Sequence, residues 1–446
     1  VYLLNILTKE DVLEKAKEYD VKFIRLQFTD IFGSFKNIAI TVEELERALS
    51  FGVMFDSAVI EGFSQNKESD IYLLPDPSTF VIFPWRPRNG AVARLICDVY
   101  NSEGELFAGC PRAALKRVLK EVNQLGYRPQ SAVETEFFLF HTDAQGNPTK
   151  ITHDQAGYCD LTPVDLGENC RRDMVLTLES MGFEIASSHH EIAAGQHEIA
   201  LKEDDVLFMA DNLSTFKFVV RTIAQRHGLH ASFMPKPMAD LSGSGLHLHH
   251  SLWQEDKNIF YAHSHTDCLQ LSKIAYYYIG GLIEHAGAFT AIANPLINSY
   301  KRLTLGKLAP ALAAWSEQNR STMIRVPAQR ENDTRIVLRS PDGTCNPYLV
   351  FAVTLKAGLE GIKNKINPPA PLEDNDLHGG FKKLVRTHGL PRSLDEALSA
   401  LASDEIIKDA LGEQIWSRFI EAKEEECERF HATVHQWEID EYLRYF

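Results

Sequence analysis

The sequence predicts a two-domain protein of the α+β class, and three observations carry that prediction. At 446 residues the chain is long enough for two or three domains with buried cores. Helix-like and strand-like periodicities alternate from one end to the other. A polar, turn-rich stretch, "NSEGELFAG" at 101 to 109, is followed by Pro111 and divides a small unit over residues 1–105 from a large one over 106–446.

In the small unit, Thr8 followed by Asp11 and Thr41 followed by Glu44 carry the paired acceptors of helix N-terminal caps. Between them "KFIRLQFTDIFGSFKNIAI" reads as two β-segments around a glycine-containing turn. In the large unit Pro111 opens a helix with Leu115, Val118, Leu119 and Val122 on one face. Strands are expected at 131–140, 184–192, 196–201, 229–234, 246–252 and 335–339, separated by helices such as "DMVLTLESMG" and "STFKFVVRTIAQRHG". The apolar run from 274, "IAYYYIGGLIEHAGAFTAIANPLI", is broken by Glu284 and His285 and reads as a buried helix, not a membrane span. "NPPAPLEDNDLHGGFKKL" from 367 is a turn-rich excursion, charged helices follow it, and no internal repeat occurs.

Composition narrows the function. With 61 acidic against 46 basic side chains the net charge is -15, which disfavours nucleic acid and an anionic membrane surface as partners. The 7 cysteines are dispersed without a C-x-x-C pair, which suits a reducing, cytoplasmic setting better than a disulfide framework or a zinc ribbon. "VYLLNILTKEDVLEKAKEYD" has neither a basic leader nor a small-residue cleavage site, so no signal peptide is expected.

Four pieces of sequence carry chemistry. In "SAVETEFFLF" the strand period of two sends Glu134, Glu136 and Phe138 to one side and Val133, Thr135 and Phe137 to the other. In "SHHEIAAGQHEI", a two-residue turn at Ala194 and Gly195 would set Glu191 directly opposite Glu198, a like-charge pair that asks for a cation or a proton. Hard divalent cations such as Mg²⁺ or Mn²⁺ take clustered carboxylate oxygens. In "SGSGLHLHHSL", His247 and His249 share a face after a glycine-rich run that permits close backbone approach. Finally Lys301, Arg302, Arg320, Arg325, Arg335 and Arg339 are spaced through apolar, strand-like sequence, where burial requires anionic partners. Together the four describe metal-assisted phosphoryl transfer onto or from an acid, and ordinary salt bridges among the same groups are the alternative.

These motifs resemble the type I glutamine synthetase family over essentially the whole chain. "IRLQFTDIFGSFKN", "VMFD", "IEGF", "YLLPDPSTFVIFPW", "DLGENCRRD", "SHHEIAAGQHEI", "FMPKP", "NSYKRL" and "NPYL" stand in the family's order and spacing. The resemblance implies an N-terminal β-grasp domain, a large α/β catalytic domain, and a homo-dodecamer of two stacked hexamers. It also implies ATP-dependent phosphorylation of glutamate and displacement of phosphate by ammonia to give glutamine. Carried over by position, Glu136, Glu191 and Glu198 resemble the ligands of a first metal, and Glu134 and His247 two ligands of a second. Arg302 and Arg339, with Gly243 and Tyr158, resemble the glutamate site; Arg320 and Arg325 the phosphate site; His249 and Ser251 the nucleotide site. Asp56 of a neighbouring subunit resembles the acid that deprotonates ammonium. Asp56, Glu191, Arg302 and Arg320 thereby form the implied catalytic set.

The chain departs from the family pattern at several of these points. Where members carry a glutamate as third ligand of the second metal, this sequence has Val337, and Leu308 replaces a glutamate of the flexible loop. Ser57-Ala58 follow Asp56 where glycine and serine are usual, Ala186 replaces an acid, and Ser242 an asparagine. One strong and one weak metal site are expected, and Glu331 or Asp333 could stand in. No tyrosine occurs from Leu372 to Leu394, which matches the short form that is not adenylylated, and Gln65 replaces an arginine of Gram-positive members. Three readings stay open: an active ligase, a γ-glutamyl ligase for a larger amine, and a silent paralogue with a regulatory role.

Overall fold

The structure, a computed structural model, describes residues 7–57, 60, 70–86, 89–262, 269–303, 309–372 and 381–446. Gln65, Ala58 and Leu308 lie outside the described residues.

The small domain begins with α1 (Lys9–Glu18). Its Thr8 hydroxyl accepts the Asp11 N–H at 3.2 Å and the Asp11 carboxylate accepts the Thr8 N–H at 2.7 Å, the reciprocal cap expected from sequence. Thr41 behaves differently. No side-chain bond caps the turn there; Val42–Glu44 form one 3-10 turn before α2 (Leu45–Phe51), because Thr41 still belongs to a strand and the chain enters the helix through the tighter i→i+3 geometry. The strands are β1 (Val21–Thr29), β2 (Phe35–Thr41), β3 (Val53–Asp56), β4 (Asp70–Pro75), β5 (Val81–Ile82) and β6 (Ala91–Tyr100). They form one sheet in the order β2-β1-β6-β4-β3, with β5 on β6 and the β1–β6 pair parallel. Gly33 turns the β1–β2 hairpin at φ +78, and a Cβ there would lie 2.8 Å from the Asn346 Cα. Glycine therefore serves both the turn and the contact with the large domain.

The strands of the large domain are β7 (Arg128–Thr142), β8 (Pro148–Thr152), β9 (Ile185–His190), β10 (Gln196–Asp205), β11 (Leu229–Ser232), β12 (Leu246–Gln254), β13 (Lys257–Asn258), β14 (Leu312–Ser316), β15 (Thr322–Arg325) and β16 (Ile336–Leu338). Their order is β14-β15-β16-β12-β7-β10-β9, with β8 and β11 on β7 and β13 on β12. The helices are α3 (Pro111–Gln124), α4 (Glu168–Ser180), α5 (Val206–Arg226), α6 (Lys273–Glu284), α7 (Ala286–Ala293), α8 (Ser299–Arg302), α9 (Pro347–Asn364), α10 (Phe381–His388), α11 (Leu394–Ala402), α12 (Glu405–Leu411), α13 (Glu413–His431) and α14 (Gln436–Tyr442).

β7 is the central strand, flanked by β12 and β10. Its odd positions Val133, Thr135 and Phe137 are fully buried, and the Phe137 ring packs 6.5 Å from Phe216 of α5 and 5.9 Å from Phe233. Apolar burial on that side leaves the even positions free for charge. The apolar run from 274 breaks at His285 into α6 and α7, and His285 Nδ1 lies 2.7 Å from Asp404 Oδ2. Among the described residues no helix is long and apolar enough to cross a membrane.

A buried arginine ties the domains together. The Arg112 guanidinium, on the first turn of α3, meets Asp76 at 2.8 Å and Asp98 at 2.7 Å in the small domain, and grips Asp211 of α5 with two bonds of 3.0 and 2.9 Å. Tyr348 of α9 donates its hydroxyl to Asp211 at 2.7 Å. Burial disfavours the guanidinium's charge, but Asp211 and Asp98 outweigh it and hold the group firmly protonated. Replacing Arg112 by Met would remove the ion-pair partner of Asp76 and Asp211 in a low-dielectric seam and leave Asp98 to Lys116 alone. The expected cost is about 3–5 kcal/mol, read as a lower urea midpoint, and Arg112→Lys should recover only part because it lacks the forked grip on Asp211.

Candidate active site

The even positions of β7 meet their counterparts across two strand pairs. Glu136 stands opposite Glu198 of β10, and Glu134 stands opposite His247 of β12. Glu198 in turn faces His189 of β9, so the sheet lines up Glu136, Glu198 and His189 in one row. The neighbouring row holds His247 and Glu134, joined by 2.8 Å from His247 Nδ1 to Glu134 Oε2. His249 brings its Nε2 to 3.1 Å from the other oxygen of Glu134.

Two groups of candidate ligand atoms result, each with all its atoms within 4.8 Å of one another: Glu134, Glu198 and His247, and His189, Glu191 and Glu198. Glu198 belongs to both. Burial, and then Glu134, Glu136 and Glu191, push its carboxyl up to about 9. A carboxyl so placed carries a proton at neutral pH unless a cation stands near it. Burial also works against Glu134, but its hydrogen bonds with the His247 and His249 rings prevail and hold it well below the usual carboxylate range. The donors, carboxylate oxygens with one or two imidazoles, fit Mg²⁺ or Mn²⁺.

The hairpin differs from the sequence expectation. Glu191 and Glu198 are not direct partners: His190 pairs with His197 and His189 with Glu198, leaving residues 191–195 as a five-residue loop. The cause lies elsewhere in the chain. Asp154 Oδ1 accepts the Gly195 N–H at 2.8 Å and meets His190 Nε2 at 2.9 Å, while His190 Nδ1 donates to the Glu191 carbonyl at 2.7 Å. Both ends of the loop are thus fastened to one buried carboxylate–imidazole pair. Burial opposes a charged His190 ring, yet Asp154 and the Glu191 carbonyl override it and raise its pKa. The two-residue slip keeps every side chain on its expected face, so Glu198 still points into the cluster. Glu191 joins it from the loop through His189 Nε2, 3.1 Å from Glu191 Oε1. Asp154, His190, Asp165 and His197 form a third buried group of possible ligands, but Arg171 already bonds Asp165 and His197 at 2.8 Å each and supplies a cation's charge there.

Backbone approach accounts for the glycines. The Gly245 N–H donates to Glu136 Oε2 at 2.8 Å, and Gln196 Nε2 donates to the same oxygen at 3.0 Å. A Cβ on Gly245 would come 2.5 Å from Arg302 Nη2, and one on Gly243 2.2 Å from the Pro235 carbonyl. Arg302 is buried and donates to the Ser340 and Arg339 carbonyls at 2.8 and 3.0 Å. Arg339 donates to the Arg320 carbonyl at 2.6 Å, and burial, then Arg302 and Arg320, push its pKa down to about 10. Two cations crowded without a carboxylate partner among the described residues make a receptive place for anions.

The remaining predicted residues scatter more widely. Tyr158 is 61 % exposed and packs edge-on against His189 at 5.3 Å. Ser251 donates to Glu203 Oε1 at 2.5 Å, and Arg320 and Arg325 are exposed at the end of the sheet. Asp56 closes β3 on the exposed edge of the other sheet. Val337 is buried opposite His249 on the site face and offers no donor, while Glu331 and Asp333 lie exposed and enter neither group of candidate ligands. Sequence reasoning missed His189, Gln196 and Asp154. His189 was visible in the motif, whereas Asp154 is 41 residues from Gly195 and left no local signal.

Comparison with known proteins adds a second line of evidence. A model of the glutamine synthetase β-grasp domain matches residues 20–102, and one of the glutamine synthetase catalytic domain matches 108–442. The chain is 51 % identical over 438 residues to the glutamine synthetase of Clostridium saccharobutylicum, covering 98 % of each. It is 50 % identical over 445 residues to that of Methanosarcina mazei, covering 99 % of each. Among solved structures, a GmaS–ADP complex superposes with a TM-score of 0.88 at 31 % identity, over 97 % of this chain and 99 % of that one.

The loop anchor can be tested directly. Asp154→Asn should cost about 3 kcal/mol or more near pH 6, since it leaves a buried imidazolium unpaired. The Asp154 carboxyl is held below its unfolded value, burial opposing the shift and His190 and the Gly195 N–H driving it. Its contribution is therefore complete above about pH 4 and fades as pH falls further, and denaturation curves of the two proteins should converge in acid.

Proposed function

The chain belongs to the glutamine synthetase family and is an ATP-dependent ligase of that type, and from this premise we propose that it joins glutamate to ammonia through γ-glutamyl phosphate. The observation that carries the reading is the cluster of Glu134, Glu136 and Glu198 on one sheet face, joined by Glu191 from the adjoining loop, with buried Arg302 and Arg339 beyond it. In this proposal a β-grasp domain spans 1–105, a catalytic domain spans 106–446, and the cytoplasmic protein is a homo-dodecamer.

Glu136, Glu191 and Glu198 would hold one divalent cation, and Glu134 and His247, sharing Glu198, a second. Bound Mg²⁺ or Mn²⁺ would neutralise charge on the ATP phosphates and on the carboxylate under attack. Arg302 and Arg339, with Tyr158 and Gly243, orient glutamate by its carboxylates. Arg320 and Arg325 take the transferred phosphate, and His249 and Ser251 flank the nucleotide. Asp56 of a neighbouring subunit accepts the proton that ammonium must lose before its nitrogen can attack.

Val337 favours a slower version of the same reaction. It turns an apolar face toward His249 where a third ligand would help, and leaves Glu134 to be held by two imidazoles alone. Titration with Mn²⁺ should show one tight and one weak site with proton release, as the cation displaces the proton from Glu198; two equally tight sites would count against this.

Phosphate release from ATP should depend on glutamate and be fastest with ammonia, compared with alkylamines and polyamines. Preference for a larger amine would favour a redirected ligase, and no turnover at all a silent paralogue. Val337→Glu with Leu308→Glu should raise Mn²⁺ affinity and turnover by roughly ten- to a hundred-fold, given that loss of even an outer partner of a metal ligand typically costs that much.

A further inference from the structure

Val337 leaves the second group of ligands short of one donor, and a nitrogen stands beside the gap. Val337 of β16 pairs across the sheet with His249 of β12, which shares its face of the strand with His247. The two rings meet the same carboxylate at its two oxygens: His247 Nδ1 lies 2.8 Å from Glu134 Oε2, and His249 Nε2 lies 3.1 Å from Glu134 Oε1.

Those separations are the informative ones. Donors bound side by side to one small divalent cation, with bonds of about 2.0–2.1 Å, stand roughly 3.0–3.4 Å apart. The row of His247, Glu134 and His249 has close to that spacing. Glu134, Glu198 and His247 have all their ligand atoms within 4.8 Å of one another, and His249 adjoins this group through Glu134. Glu331 and Asp333 are exposed, and among the described residues no further carboxylate joins the group.

The composition has a chemical consequence. Mg²⁺ dehydrates reluctantly and takes carboxylate oxygens, whereas imidazole nitrogens suit Zn²⁺ and its transition-metal neighbours. A valine in place of a carboxylate, with two imidazoles beside it, turns an oxygen-rich site into a nitrogen-rich one. Two imidazoles and one carboxylate form a donor set that Zn²⁺ accepts with a position left open for substrate.

We propose that His247, His249 and Glu134 together hold the second cation of this chain, and that the set favours Zn²⁺ over Mg²⁺. The proposal rests on the reading above that the cluster binds two cations; the first, on Glu136, Glu191 and Glu198, keeps its oxygen ligands.

The test loads the full-length protein with one equivalent of Mn²⁺, adds one of Zn²⁺, and counts the imidazoles on zinc by X-ray absorption at the zinc edge. Two are expected in the native protein and one in His249→Gln. The count in the native protein needs no variant, so it decides the question even where a substitution unfolds the chain. In parallel titrations His249→Gln should weaken Zn²⁺ at the second site about tenfold or more and Mg²⁺ less than about threefold, whereas Val337→Glu should strengthen Mg²⁺ about tenfold. Fewer than two imidazoles on zinc in the native protein would overturn the proposal. So would equal weakening of Zn²⁺ and Mg²⁺ in His249→Gln, which would make the ring a support for Glu134 only. A second site that prefers Mg²⁺ would overturn the proposal and leave the two-cation reading standing, while failure to bind any second cation would overturn both.

Discussion

Mutual repulsion among Glu134, Glu136, Glu191 and Glu198 is the constraint around which the large domain is arranged. Three carboxyl groups on one half-buried sheet face and a fourth on the adjoining loop repel each other strongly in a medium less polar than water. The Glu198 carboxyl, driven up to about 9 by burial and by its three neighbours, records that strain. Holding such a group in place needs a rigid floor. β7 supplies it, with β10 and β12 bonded on either side and Phe137 anchored against α5 behind.

Three of the four carboxylates are also held by partners of their own. Glu134 lies between His247 and His249, Glu136 accepts the Gly245 N–H and the Gln196 amide, and Glu191 is reached by His189. These partners set direction without cancelling the cluster's charge. Beyond Glu136, Arg302 spends its donors on carbonyls, and among the described residues no carboxylate within hydrogen-bonding distance quenches it. Negative and positive groups thus remain separate, as a site must be that takes both cations and anionic substrates.

Domain coupling follows similar logic on a smaller scale. Arg112 is surrounded by Asp76, Asp98 and Asp211, and Lys116 shares Asp98, so the seam is held by an interlocked set of opposite charges. The Nε and Nη1 of Arg94, in the same seam, have no hydrogen-bond partner among the described residues, while both oxygens of Asp211 are engaged by Arg112. Asn346 fastens the other side of the seam by donating to the Asp30 and Ile31 carbonyls at 3.0 and 3.2 Å.

Local chemistry was legible wherever it depended on period or on neighbours in the chain. The alternation in "SAVETEFFLF" determined by itself which residues of β7 face the core and which carry charge, since a strand has no other way to place them. The reciprocal cap at Thr8, the opening of α3 at Pro111 and the break at His285 are equally local. Tertiary structure decided the rest. The loop at Glu191 is five residues instead of two because Asp154, far away in sequence, holds His190 and Gly195 at once. Hydrogen bonds between distant segments leave no periodicity to read, so the hairpin's register, the grouping of Glu198 with two sets of partners and the solitary Arg94 emerge only when the sheet and the two domains are assembled.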